Sequence, residues 1–112
     1  MSLRSTSTTY DVVVGQTGGL DIFLLADEQT PEGTLGGSVD LFMADIDGNQ
    51  INFAGNVSIV DAARWKIRVS PDASDFAAPG NFRGRFRVTD GLGKIVFYPN
   101  GAWDIWHVRA VV

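Results

Sequence analysis

The sequence predicts an all-β domain, a sandwich of about seven or eight short antiparallel strands. Two observations carry this. The apolar residues recur with a period of two: "RWKIRVS" sets Trp65, Ile67 and Val69 on one face and Lys66 and Arg68 on the other, which is the pattern of a half-buried strand. These stretches are short and evenly spaced, and Gly, Pro, Asn or Asp bounds each one. No stretch shows a sustained period of 3.6 that would call for a long helix.

Residues 1–9, ending in "RSTSTT", read as a flexible lead-in, and residues 10–112 as one sandwich domain. The first strands fall at 10–14 and 20–25, followed by 37–44 and a longer apolar run over 51–60. "RWKIRVS" supplies the next strand. In "SPDASDFAAPG", Ser70 or Asp72 can cap a single helical turn that Pro79-Gly80 ends. "FRGRFRV" then alternates cleanly, with Phe82, Phe86 and Val88 against Arg83, Arg85 and Arg87. Strands over 94–98 and 103–112 close the chain. Phe23, Leu25, Leu41, Met43, Ile67, Val69, Phe82, Phe86 and Val88 are the expected core.

Length and composition bound the function. The chain has 112 residues, enough for one domain with one core. It has no cysteine, which excludes disulfides, thiolate metal sites and a cysteine nucleophile. A net charge of −4 argues against a nucleic-acid partner. No apolar run approaches the roughly 18 residues needed to cross a bilayer, so no membrane association is expected.

Few places gather chemistry. In "FMADIDGNQIN", Asp45 and Asp47 suggest a calcium loop. With Asp45 at position 1, however, Gly48 falls at position 4 where an EF-hand needs it at 6, and position 12 is Asn56 instead of glutamate. A hairpin turn fits better: Asp47-Gly48 or Gly48-Asn49 supplies the positive φ that tight turns need. His107, the single histidine, lies inside a predicted strand with no G-x-S-x-G elbow in the chain. One histidine and no cysteine cannot build a zinc site. The two glutamates, Glu28 and Glu32, sit in a loop-like stretch and give no basis for a glycosidase pair. "VVGQTGG" lacks the lysine and helix of a phosphate loop. The residues point away from an enzyme, and no cofactor or metal is expected.

Two surfaces remain as candidate interfaces. Arg83, Arg85 and Arg87 share one face of one strand, and Lys66 and Arg68 one face of another. They form either a basic patch for an acidic partner or a solvated face whose charges are paired across the ladder, for example by Asp40. Trp103 and Trp106 are three apart and so face opposite sides of a strand, one for the core and one for a partner. The apolar C-terminal run "HVRAVV" suggests an edge open to strand addition.

The order of the turn motifs adds a resemblance. Leu35-Gly36-Gly37, Asp45 to Gly48, Pro79-Gly80-Asn81-Phe82, Thr89 to Lys94 and Tyr98 to Gly101 follow one another over most of residues 10–108. In this order they resemble the small immunoglobulin-like domains of tailed-phage and prophage structural proteins, above all the N-terminal domain of phage baseplate upper proteins. Phe82 departs from the tyrosine common after Pro-Gly in that group. The resemblance implies an immunoglobulin-like sandwich and a non-enzymatic part in building a tail or baseplate. Its partners would be other virion or tail proteins, or further copies of itself. Its place would be the virion, or the bacterial cytoplasm when prophage-encoded. The alternative is a carbohydrate-binding module, in which an exposed tryptophan from the Trp103 and Trp106 pair holds a glycan.

Overall fold

The computed structural model describes residues 8–24, 35–90, 92–99 and 102–110. Nine strands follow in chain order: β1 (Thr9–Val13), β2 (Leu20–Phe23), β3 (Ser38–Ala44), β4 (Gln50–Ile51), β5 (Asn56–Asp61), β6 (Lys66–Ser70), β7 (Gly80–Thr89), β8 (Ile95–Tyr98) and β9 (Asp104–Arg109). The larger sheet runs β1-β9-β7-β3-β4, with β8 also on β7, and the smaller sheet runs β2-β6-β5. This is an immunoglobulin-like sandwich. In the lettering of variable-type domains, β2-β6-β5 stand for B, E and D, and β9-β7-β3-β4 for G, F, C and C′. One pair departs from the antiparallel expectation: β1 joins β9 in parallel, with Thr9 opposite Ile105 and Val13 opposite Arg109.

The core lies between the sheets. Val39, Leu41 and Met43 of β3, Phe86 and Val88 of β7, and Ile67 and Val69 of β6 are buried, as their alternation requires. Trp106 is fully buried, stacked on Phe76 at 5.8 Å and tilted against Tyr10 at 4.7 Å. Phe82 is partly buried against this cluster.

Four expectations are corrected. Phe23 is 45% exposed, because Ile22 and Leu24 take the inward positions; in "LDIFLL" four apolar residues run together and leave the parity open. Leu25, the other inward residue expected there, lies outside the described residues, as do residues 1–7 of the lead-in. The run over 51–60 is two strands in different sheets. β4 pairs with β3 and β5 with β6, and the crossing is pinned where the Asp75 carboxylate accepts from the Ala54 and Gly55 N–H groups at 2.6 and 3.0 Å. Residues 70–80 form no helix, only a hydrogen-bonded turn that Asp72 opens, its C=O accepting from the Asp75 N–H at 2.9 Å and its carboxylate from the Ser74 N–H at 3.0 Å. The short helix is a 3-10 turn at Ala62–Arg64, capped by Asp61 and closed by Trp65 in the left-handed region. Last, β9 is not an edge: β1 covers one side and β7 the other.

β7 has a long partner on one side and two short ones on the other. β3 runs along it from Ser38 opposite Thr89 to Ala44 opposite Arg83. On its other edge β8 pairs with Phe86–Thr89 and β9 with Gly80–Gly84. The ladder on this edge thus breaks between Tyr98 and Asp104, and Arg85 is the β7 residue that faces the break.

Candidate interface on the outer face of the larger sheet

The outward positions of β7 are Arg83, Arg85 and Arg87, opposite Ala44, Phe42 and Asp40 of β3. The three arginines therefore lie on one face, as the alternation predicts. Lys66 and Arg68 belong to the smaller sheet, where both approach Asp21, Lys66 at 3.6 Å and Arg68 at 2.7 Å. The five basic residues do not form one patch.

The three arginines differ in what they contact. Arg87 is paired: its Nη2 donates to Asp40 Oδ2 at 2.8 Å, and its guanidinium lies over Phe42 at 4.7 Å. Arg83 and Arg85 have no carboxylate partner among the described residues. Arg85 is instead clamped between two rings, 4.3 Å from the centre of Phe97 and 4.4 Å from that of Trp103. The interruption of β8 and β9 makes room for this arrangement, because on that edge of β7 no ladder residue stands opposite Arg85. A guanidinium that lies over aromatic rings keeps its N–H groups in its own plane, where a ligand can bond edge-on. The Nε of Arg85 is buried without a hydrogen-bond partner. Beside it opens a cleft of about 310 Å³, lined by Arg83, Arg85, Phe97, Trp103, Gln50 and Gly48 among others.

Of the residues expected at an interface, Arg83, Arg85, Arg87 and Trp103 come together here. Trp106 does not, because its side chain points inward and is fully buried. Phe42 and Phe97 were missed. Phe42 carried a signal, since its parity is opposite to that of Leu41 and Met43. Phe97 sits in "IVFY", where nothing polar marks the outer face.

The Asp45–Asn49 turn lies at one end of the cleft. Gly48 has φ +90°, the conformation that favours glycine. The Asp45 carboxylate accepts from the Asn49 side-chain amide at 3.0 Å, the Asn49 N–H at 2.8 Å and the Asp47 N–H at 3.0 Å. These bonds, the Asn49 side chain first, hold its carboxyl below the ordinary value of 3.8. Its oxygens serve its own turn, which is how a tight hairpin uses aspartate. No group of three or more potential metal ligands occurs among the described residues. His107 Nδ1 donates to Asn81 Oδ1 at 2.6 Å, which ties β9 to β7 on the same outer face.

The chain matches no protein-family model and no curated protein. No helix among the described residues is long and apolar enough to cross a membrane.

Proposed function

We propose that this chain is a non-enzymatic assembly domain of a phage or prophage tail or baseplate, docking on a partner protein through the outer face of the larger sheet. The observation that carries the reading is the pair of guanidiniums, Arg83 and Arg85, without a carboxylate partner among the described residues on a protein of net charge −4. Arginine and tryptophan are the residues that anchor protein interfaces most often. Here the arginines are fixed on a strand ladder and Arg85 lies over the Trp103 ring, so docking costs little side-chain order. The sequence of turn motifs supports the tail assignment, and the virion is then the expected location. A carbohydrate platform draws less support, because Arg85 already lies over the ring of Trp103.

Mass spectrometry of particles released by the encoding bacterium tests this. The reading expects the chain in purified particles, and its loss from them in an R83A/R85A variant that keeps its melting temperature. Absence of the wild-type chain from the particles contradicts it.

A further inference from the structure

We infer that the arginine–aromatic cleft binds an extended segment of the partner protein that carries carboxylates at alternate positions, Glu-x-Glu or Asp-x-Asp. The inference rests on the reading of this face as a docking surface and names the chemistry of its partner.

Spacing carries the argument. Arg83 and Arg85 are two residues apart on β7 and share its outward face. At about 3.3 Å per residue, their backbones stand about 7 Å apart. An extended partner segment has the same repeat, and its alternate side chains point the same way. Two acids at i and i+2 therefore meet the two guanidiniums in register. Adjacent acids point to opposite sides, so only one of them reaches. The third arginine sets the count. Arg87 already donates to Asp40 at 2.8 Å, so the row offers two cations without a carboxylate among the described residues, not three.

The walls of the cleft suit the same ligand. A guanidinium gives a carboxylate two parallel N–H bonds. Arg85 lies over the rings of Phe97 and Trp103, and the low dielectric beside such rings strengthens a charge pair. Gln50 also lines the cleft, and its amide can bond the backbone of a segment. The volume of about 310 Å³ stands at the small end of ligand sites, enough for a few side chains and no more.

Other anions fit less well. Chain termini are captured by nests of backbone N–H groups, whereas the donors here are side chains on a sheet face. A nucleic acid or polyphosphate meets the repulsive field of a chain with net charge −4. Two carboxylates seated on two arginines avoid most of that cost.

Two capped peptides of identical composition test this on the full chain by titration calorimetry, Ac-GTETETG-NH2 with alternate acids and Ac-GTTEETG-NH2 with adjacent ones. The alternate peptide should bind with a Kd of about 1 mM or tighter, and the adjacent one about fivefold more weakly or worse. Binding should weaken as salt is raised from about 50 to 500 mM. R83A and R85A, each with the wild-type melting temperature, should each lose about tenfold, and R68A on the smaller sheet should lose less than twofold. Arg→Gln replaces either alanine variant that melts early, and the two-peptide comparison needs no variant at all. Equal binding of the two peptides overturns the inference, as does binding of neither at about 5 mM. So does inorganic phosphate, or the acid-free peptide Ac-GTTTTTG with a free C-terminus, binding as well as the alternate peptide. Self-association of the wild type that R83A/R85A abolishes and the peptide fails to displace gives the face to a second copy, and also overturns it. These results are separable from the tail reading. A chain found in particles that binds neither peptide keeps that reading and ends this inference, and a chain that selects alternate acids but is missing from particles does the reverse.

Discussion

Gly84 shows how closely the two faces of β7 are coupled. A Cβ there would lie 2.5 Å from Nε1 of Trp106 and 2.8 Å from its Cδ1, so the indole packs directly on the β7 backbone. G84A should cost about 1–3 kcal/mol in urea unfolding, the usual range for overpacking a core. Three exposed aspartates act at the same scale. The Arg68 hydrogen bond holds Asp21 below 3.8, the Asn49 side chain does the same for Asp45, and Ser74 for Asp72. Their folded values lie below the unfolded ones, so their stabilisation is complete above about pH 4 and is lost as pH falls through the depressed values. Thermal melts should be flat at neutral pH and decline below pH 4, and a D21N/D45N/D72N variant should start lower with a shallower decline. On β7 the outward set was legible, because arginine occupies every second position from 83 to 87. Phe23 was not legible, because Ile22, Phe23 and Leu24 are all apolar and only the partner strand, with Ile22 opposite Ile67, decides which face is inside.

β7 is the central element, with β3 on one side and β8 and β9 on the other. Phe86 is fully buried on it, and Phe86→Ala should cost about 3–5 kcal/mol, a large part of the 5–15 kcal/mol typical of a domain. β9 lies between β1 and β7, so deleting residues 104–112 should abolish cooperative unfolding instead of merely freeing an edge. The Asp45–Asn49 hairpin makes a different prediction. With its carboxylate engaged by N–H donors, 1 mM calcium should leave the melting temperature unchanged, and a rise of several degrees would restore the calcium-loop reading. Strand positions were legible from alternation and turn residues. The split of 51–60 was not, because the switch of sheets depends on Asp75, some 20 residues away, accepting from Ala54 and Gly55. The parallel β1–β9 pair also lies beyond local pattern, since its register joins residues almost a hundred positions apart.

At the scale of the whole molecule, the all-β sandwich was legible because composition, period and turn spacing agree. The clamp on Arg85 was not, because it needs the break between β8 and β9 to fall opposite one residue of β7. The molecule has two outer sheet faces of unlike character. On the smaller sheet, Asp21 engages both Lys66 and Arg68. On the larger sheet, Arg83 and Arg85 stand ready beside Trp103. The central claim is that docking uses the second face. Site-specific photocrosslinking in assembled particles tests it most directly, with the photoreactive residue at position 103 on the larger sheet or at position 58 on β5 of the smaller one. Covalent adducts from position 103 and none from position 58 are predicted. Adducts from position 58 with none from 103 would contradict the account.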